Sequence, residues 1–257
     1  MPILPRSRED RAAALALQRS LVPSALPTVR GVEVAARYVP GAGQVGGDWY
    51  DVFVLPSGEL ALVVGDVAGS GLGAAVIMGR IRSALRAYAL EFHGPADVLG
   101  KLDRKMQYFE QGDIMATVSY ALLDPGSGQL SISSAGHLPP VIAAPGQHGA
   151  VAQIAVDLPI GVADAPARQV TTLALAPGAA LCQFTDGLVE RRNEPIDDGI
   201  TRLCQAVTPG PPEDVCVSVM QALVGRQSPR DDIAFLVLRW LPGEPTAADM
   251  PAPGERP

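Results

Sequence analysis

Four apolar runs in this chain end or begin at an aspartate set beside glycine or a second aspartate. They are "VGGDWYDVFV" (Asp48, Asp51), "ELALVVGD" (Asp66), "GAALCQFTDGL" (Asp186) and "RDDIAFLVLRW" (Asp231, Asp232). Runs of this length and content read as strands. One aspartate at such a strand end is a turn or cap residue. Four of them constrain the fold further, because antiparallel pairing in one core brings strand ends together. A carboxylate cluster repels itself strongly unless hard divalent cations neutralise it.

The second of these runs continues as "VVGDVAGSGLGAA", residues 63–75. Gly69, Gly71 and Ala74 satisfy G-x-G-x-x-G/A between a strand and a helix, the pattern of a dinucleotide-binding turn. That fold needs a parallel strand directly after the helix. Here a second helical stretch follows at about 95–110, and no strand-like run appears before about residue 114. No lysine follows the glycines, so this is not a Walker loop. A nucleotide-binding oxidoreductase is therefore the minor reading. In the major one the glycines let the backbone turn tightly enough to present Asp66.

The rest of the chain supports many antiparallel strands and two groups of helices. Residues 6–20 read as a helix that stops before Pro23 and Pro27. Ile77, Ile81, Leu85 and Tyr88 mark one apolar face of a helix over 71–90. Strand-like runs dominate from 115 to 186, with a hairpin-grade turn at "DPGSGQ". A helix is expected over 211–224, then a last strand. The Pro/Ala/Gly-rich tail 242–257 reads as disordered. The pattern is α+β rather than alternating βαβ.

Composition removes several function classes. Cys182, Cys204 and Cys216 are odd in number and lack C-x-x-C spacing, which excludes a disulfide framework and a zinc ribbon. The three histidines are scattered, so any metal must be held by oxygen, favouring magnesium, manganese or calcium. A calcium-binding structural domain lacks its D-x-D-x-D-G spacing. A net charge of −7 with no basic–aromatic cluster argues against nucleic acid. No apolar run reaches the ~20 residues of a membrane span. The N-terminus lacks the apolar core of a signal peptide, so a cytoplasmic location is expected.

Taken together, "PGAGQVGGDWYDVFVLPSGELALVVGDVAGSGLGAA", "SSAGHLPPV", "QFTDGLVERR" and "RDDIAFLVLR" resemble the successive motifs of metal-dependent (type 2C-like, PPM) protein phosphatases in their bacterial SpoIIE/RsbU branch. The resemblance covers roughly residues 12–240 in order. It implies a four-layer α-β-β-α sandwich, two antiparallel sheets flanked by helices, and phosphoserine/phosphothreonine hydrolysis by metal-activated water without a covalent phospho-enzyme. It implies two Mn2+ or Mg2+ ions. Asp66 would bridge both, the Val67 carbonyl would bind one, and Asp48, Asp186 and Asp231 would supply the other carboxylates. Asp48, Asp66 and Asp186 are the catalytic candidates. Asp113 is a weaker candidate for a third cation, and its bland reading is a loop acid. Asp232 and Asp51 are read as supporting or structural.

The implied organisation is a linker helix within 1–30, a phosphatase domain over 31–241 and the tail. No sensor domain precedes the helix, so the chain reads as a stand-alone protein or an excised domain. The implied substrate is a phosphorylated STAS-domain anti-sigma-factor antagonist in a partner-switching, stress-response pathway. Homodimerisation through the helices after Gly71 is a candidate switch. His137 is expected to fix a turn between strands, and Arg37 is the one arginine weighed for gripping phosphate. One departure stands out. Ser70 occupies the position where family members commonly carry His, which supports the alternative of a catalytically impaired binding or regulatory module.

Overall fold

The computed structural model describes residues 21–41, 46–92, 94–109, 114–162, 167–225 and 228–242. The expected helix at 6–20, Asp113 and the tail beyond residue 242 lie outside the described residues.

Eleven strands and four helices are described. The strands are β1 (Val32–Val39), β2 (Trp49–Val54), β3 (Leu60–Val67), β4 (Ala116–Leu123), β5 (Gln129–Ala135), β6 (Val141–Ala143), β7 (Ala150–Val151), β8 (Val156–Asp157), β9 (Thr171–Ala174), β10 (Ala180–Phe184) and β11 (Ile233–Trp240). The helices are α1 (Leu72–Ala89), α2 (Pro95–Phe109), α3 (Ile196–Ala206) and α4 (Pro212–Leu223). One sheet runs β1-β11-β10-β6-β7, the other β2-β3-β4-β5-β8, with β9 also pairing β5. All pairings are antiparallel except the two-residue β5–β8 contact, which is parallel.

Three apolar clusters separate four layers, as expected. Ala61 and Val63 of β3 meet Met78, Ile81 and Leu85 of α1 and Leu99 and Leu102 of α2. Leu60, Leu62 and Val64, from the alternate positions of the same strand, meet Leu181, Leu236 and Leu238 of the facing sheet. On the far side, Phe235 and Val237 meet Leu203 of α3 and Val215 and Val219 of α4. Both faces of the central strands are therefore buried. This is why "ALVV" and "IAFLVL" are continuous apolar runs rather than alternating ones. Truncating one of these large side chains costs about 2–5 kcal/mol.

Two expectations shift. The buried stripe of α1 is Ala74, Ala75, Met78, Ile81, Leu85 and Ala89, while Ile77 and Tyr88 sit partly buried at its margin. Small alanines let the helix approach the sheet at both ends of the stripe, and Met78, Ile81 and Leu85 fill its middle. Helix α3 was not expected, because Pro195, the acidic pair Asp197–Asp198 and Gly199 read as loop punctuation. Its Gly199 is demanded by packing: a Cβ there would fall 2.0 Å from the Val189 carbonyl oxygen.

At one end of the sandwich Trp49 is fully buried, its indole laid across Gly65, where a Cβ would meet the ring at 2.2 Å. At the other end Trp240 closes β11 and donates its indole N–H to the Pro125 carbonyl at 2.9 Å.

Candidate active site

Strand pleating delivers the acids to one place. Leu60, Leu62 and Val64 point between the sheets, and Asp66 continues that row where β3 leaves its apolar partners. Asp48 extends the row of Tyr50 and Val52 on β2. From the other sheet, β10 ends at Phe184 and passes through Thr185 into a 3-10 turn, Asp186–Leu188. Asp231 and Asp232 precede β11. The loop after β3 turns through Gly69 (φ +109°) and Gly71 (φ +84°), a conformation that side-chain-bearing residues adopt only with strain. Gly47 lies so close to the Val67 backbone that a Cβ would sit 2.3 Å from its carbonyl oxygen. Backbone contact thus joins the Asp48 segment to the Val67 carbonyl.

The electrostatics show which acids meet. Asp48 is buried, and its carboxyl is held well above the usual range, first by burial and next by the charge of Asp66. Asp66 is raised by burial, with Asp231 and Asp232 adding repulsion. Asp186 is pushed up to about 6 by burial and then by Asp66 and Asp231. Asp48, Asp66 and Asp186 therefore act on one another, and exposed Asp231 reaches them from the rim. The Asp48 Oδ2 atom is buried without a hydrogen-bond partner. An orphaned carboxylate oxygen among repelling acids is an expensive arrangement that a hard divalent cation relieves. The donor chemistry fits Mg2+ or Mn2+. As the side chains stand, no three His, Cys, Asp or Glu among the described residues converge closely enough to hold an ion by themselves.

Asp232 does something else. Its carboxylate accepts from the Gly41 N–H at 2.7 Å, the Gly46 N–H at 3.0 Å and the Tyr38 hydroxyl, fastening the segment that leads into Asp48. Asp51 sits one residue out of phase with Asp48 and faces α1, where Arg82 and Arg86 pair with it at 3.0 and 2.6 Å. Arg37 faces away from the site as well, pairing with Glu213 of α4. It is not placed to grip phosphate at the acid cluster.

His137 joins the sheets. Its Nδ1 lies 2.8 Å from the Thr117 hydroxyl on β4, and its Nε2 lies 3.0 Å from the Phe184 carbonyl on β10. Only a donor satisfies that carbonyl, so Nε2 carries the proton and Nδ1 accepts from Thr117. Burial lowers its pKa to about 4, and the ring stays neutral. With Asp66, Thr117, Asp186 and Ile196 it lines a cleft of about 170 Å3. Sequence reasoning missed Thr185, whose hydroxyl draws the Asp48 carboxyl downward against burial and receives the Ala234 N–H at 2.9 Å, and also Tyr38. "FTDG" held the first signal; nothing local marked the second. Ser70 is exposed.

The model of the family described as Stage II sporulation protein E (SpoIIE) matches residues 56–241. Protein IcfG of Synechocystis sp. is 30% identical, the match covering 69% of this chain and 32% of that protein. Phosphoserine phosphatase RsbU of Bacillus subtilis is 26% identical over 69% of this chain and 52% of that protein. The chain thus spans about a third and about half of the lengths of these relatives. The crystal structure of the RsbU and RsbW domains of Rv1364c from Mycobacterium tuberculosis aligns with a TM-score of 0.79 at 28% identity, covering 88% of this chain and 64% of that one.

Proposed function

The chain belongs to the SpoIIE family, in the RsbU-like branch of type 2C-like phosphatases, and from that premise we propose that it is an active Mn2+- or Mg2+-dependent phosphoprotein phosphatase. The observation that carries this reading is the buried Asp48 beside the half-buried Asp66, with the Asp48 Oδ2 atom lacking a hydrogen-bond partner and Asp186 adding to the repulsion.

Asp48, Asp66, Asp186, Asp231 and the Val67 carbonyl would hold two ions, with Asp113 a candidate for a third. Such ions supply Lewis acidity, polarising a phosphoryl group and acidifying water. The protein's own contribution is positioning. Gly47 and Val67 fix the Asp48 and Asp66 segments against each other. The neutral His137 ties β4 to β10 beneath Asp186, fixing one sheet against the other without adding charge. Asp232 anchors the approach to Asp48.

The substrate we propose is phosphoserine or phosphothreonine in a STAS-type anti-sigma-factor antagonist, within a cytoplasmic partner-switching pathway. The name of RsbU, a phosphoserine phosphatase, supports the reaction type. Residues 31–241 would form the phosphatase domain behind a linker helix, with dimerisation through the helices after Gly71 as its switch. Among the described residues no helix is long and apolar enough to cross a membrane. The second reading, a catalytically silent docking module, rests on Ser70.

Manganese-titrated hydrolysis of p-nitrophenyl phosphate and of phosphorylated STAS proteins decides between them. Turnover that needs the metal and disappears in Asp66→Asn and Asp186→Asn supports the enzyme. No turnover with any divalent ion sinks it in favour of the docking module.

A further inference from the structure

Beside Asp231 opens a second and larger cleft, of about 600 Å3, within the size range of ligand-binding clefts. Its walls carry three carboxylates (Glu190, Glu194, Asp231) and three guanidinium groups (Arg191, Arg192, Arg230). These charges are not equally committed. Asp231 and Glu190 both add negative charge at Asp186, and neither has an ion pair among the described residues. Glu194 pairs with Arg202 at 2.8 Å. Arg191 is spent on the backbone: it donates to the carbonyls of Gly187, Leu188, Glu190 and Leu223. It thereby pins the Asp186 turn to the end of α4.

Arg192 and Arg230 remain. Both are exposed, and neither side chain has a hydrogen bond or ion pair among the described residues. They stand on the two segments that bring Asp186 and Asp231 to the site, since Arg192 follows the 3-10 turn and Arg230 precedes Asp231. A protein of net charge −7 with a carboxylate cluster repels acidic substrates, and two uncommitted cations at the cleft counter that locally.

We propose that this cleft docks the polypeptide flanking the phosphorylated residue, and that Arg192 and Arg230 select segments carrying an acidic side chain there. The proposal rests on the phosphatase reading and names the substrate class for it. Guanidinium is suited to the role because its planar fork meets a carboxylate through two hydrogen bonds.

The test uses fluorescein-labelled, hydrolysis-resistant phosphonate peptides with acidic, neutral or basic flanks, titrated by anisotropy with Mn2+ present. Wild type should bind the acidic-flanked peptide about tenfold tighter than the neutral one, the sum of two exposed ion pairs, with the gap narrowing as salt rises. The double variant R192E/R230E should invert the ranking toward the basic-flanked peptide, and such an inversion cannot come from misfolding. Equal wild-type affinities for the three peptides, or an unchanged ranking in the double variant, overturns the proposal. Phosphate release from the matching phosphothreonine peptides is measured in parallel. If no metal releases phosphate, the phosphatase reading fails, while the affinity ranking still decides the docking role.

Discussion

Two kinds of buried aspartate stand within one sheet of this molecule and on the helices packed against it. Asp51 and Asp103 are 1% and 5% exposed, and each is given cations: Arg82 and Arg86 for the first, Arg168 at 2.9 Å for the second. Asp103 also accepts the Gly161 N–H and the Gln107 amide. Asp48 is just as buried, at 2%, yet its nearest charged neighbour is another carboxylate. The same chain gives Asp51 and Asp103 arginines, gives the buried Asp232 two backbone N–H groups and the Tyr38 hydroxyl, and leaves Asp48 facing other carboxylates. A cluster left without protein cations is suited to cations from solution.

Substitutions can break this contrast. The largest effect is expected at Asp66→Asn, where metal-dependent turnover should fall more than about a thousandfold while the metal-free fold stays intact. Kinetics beside a thermal melt in EDTA check it; a comparable loss from Asp51→Asn with its fold preserved would erase the distinction. Next comes Arg168→Met. Stranding Asp103 should cost about 3–5 kcal/mol, lowering the melting temperature by roughly 10 °C. A melt within a few degrees of wild type would show that the pair is dispensable.

Asp186→Asn should act with the opposite sign. Folding raises this carboxyl from 3.8 to about 6, so the folded state binds its proton more tightly than the unfolded chain. Stability from this group is present below pH 4 and is lost as pH rises through 6. In EDTA at pH 7 the variant should therefore be more stable than wild type by about 1 kcal/mol, after discounting for partial exposure. Its melting temperature should also stop rising on Mn2+ addition. His137 works against that slope: its pKa falls from 6.5 to about 4, so acidification through this window destabilises the fold. Urea titrations of both proteins from pH 4 to 8 separate the two. The smallest effect is expected at Ser70→His. An exposed position should change stability by less than about 0.5 kcal/mol, and turnover should move by only a few-fold. A large gain in turnover would show that the missing imidazole limits the enzyme.

The contrast also marks how far sequence could be read. Strand ends were legible because apolar runs stop abruptly at Asp66 and Asp186, and period-two alternation then assigns each acid to a face. Asp48 and Asp51 show this best: three residues apart, they fall on opposite sides of β2. What stayed hidden were partners from other elements. Nothing near Asp232 announces the Tyr38 hydroxyl, because the two meet only through the β1–β11 register. Helix α3 was hidden for a related reason, since Gly199 is forced by the Val189 backbone rather than by any turn. The commitment of Arg191 to four carbonyls, which leaves Arg192 and Arg230 apart from it, is likewise a tertiary fact.

The placement of the two tryptophans gives the protein its own optical instrument. Trp49 adjoins Asp48 and covers Gly65, the neighbour of Asp66, and its buried indole N–H has no acceptor. Trp240 lies at the opposite end of the sandwich with its N–H engaged by Pro125. An event at the acids perturbs the emission of the first chromophore and leaves the second as an internal reference. Replacing Trp240 by phenylalanine should isolate the reporting signal, so that a Mn2+ titration read by fluorescence tests ion binding with no label and no substrate.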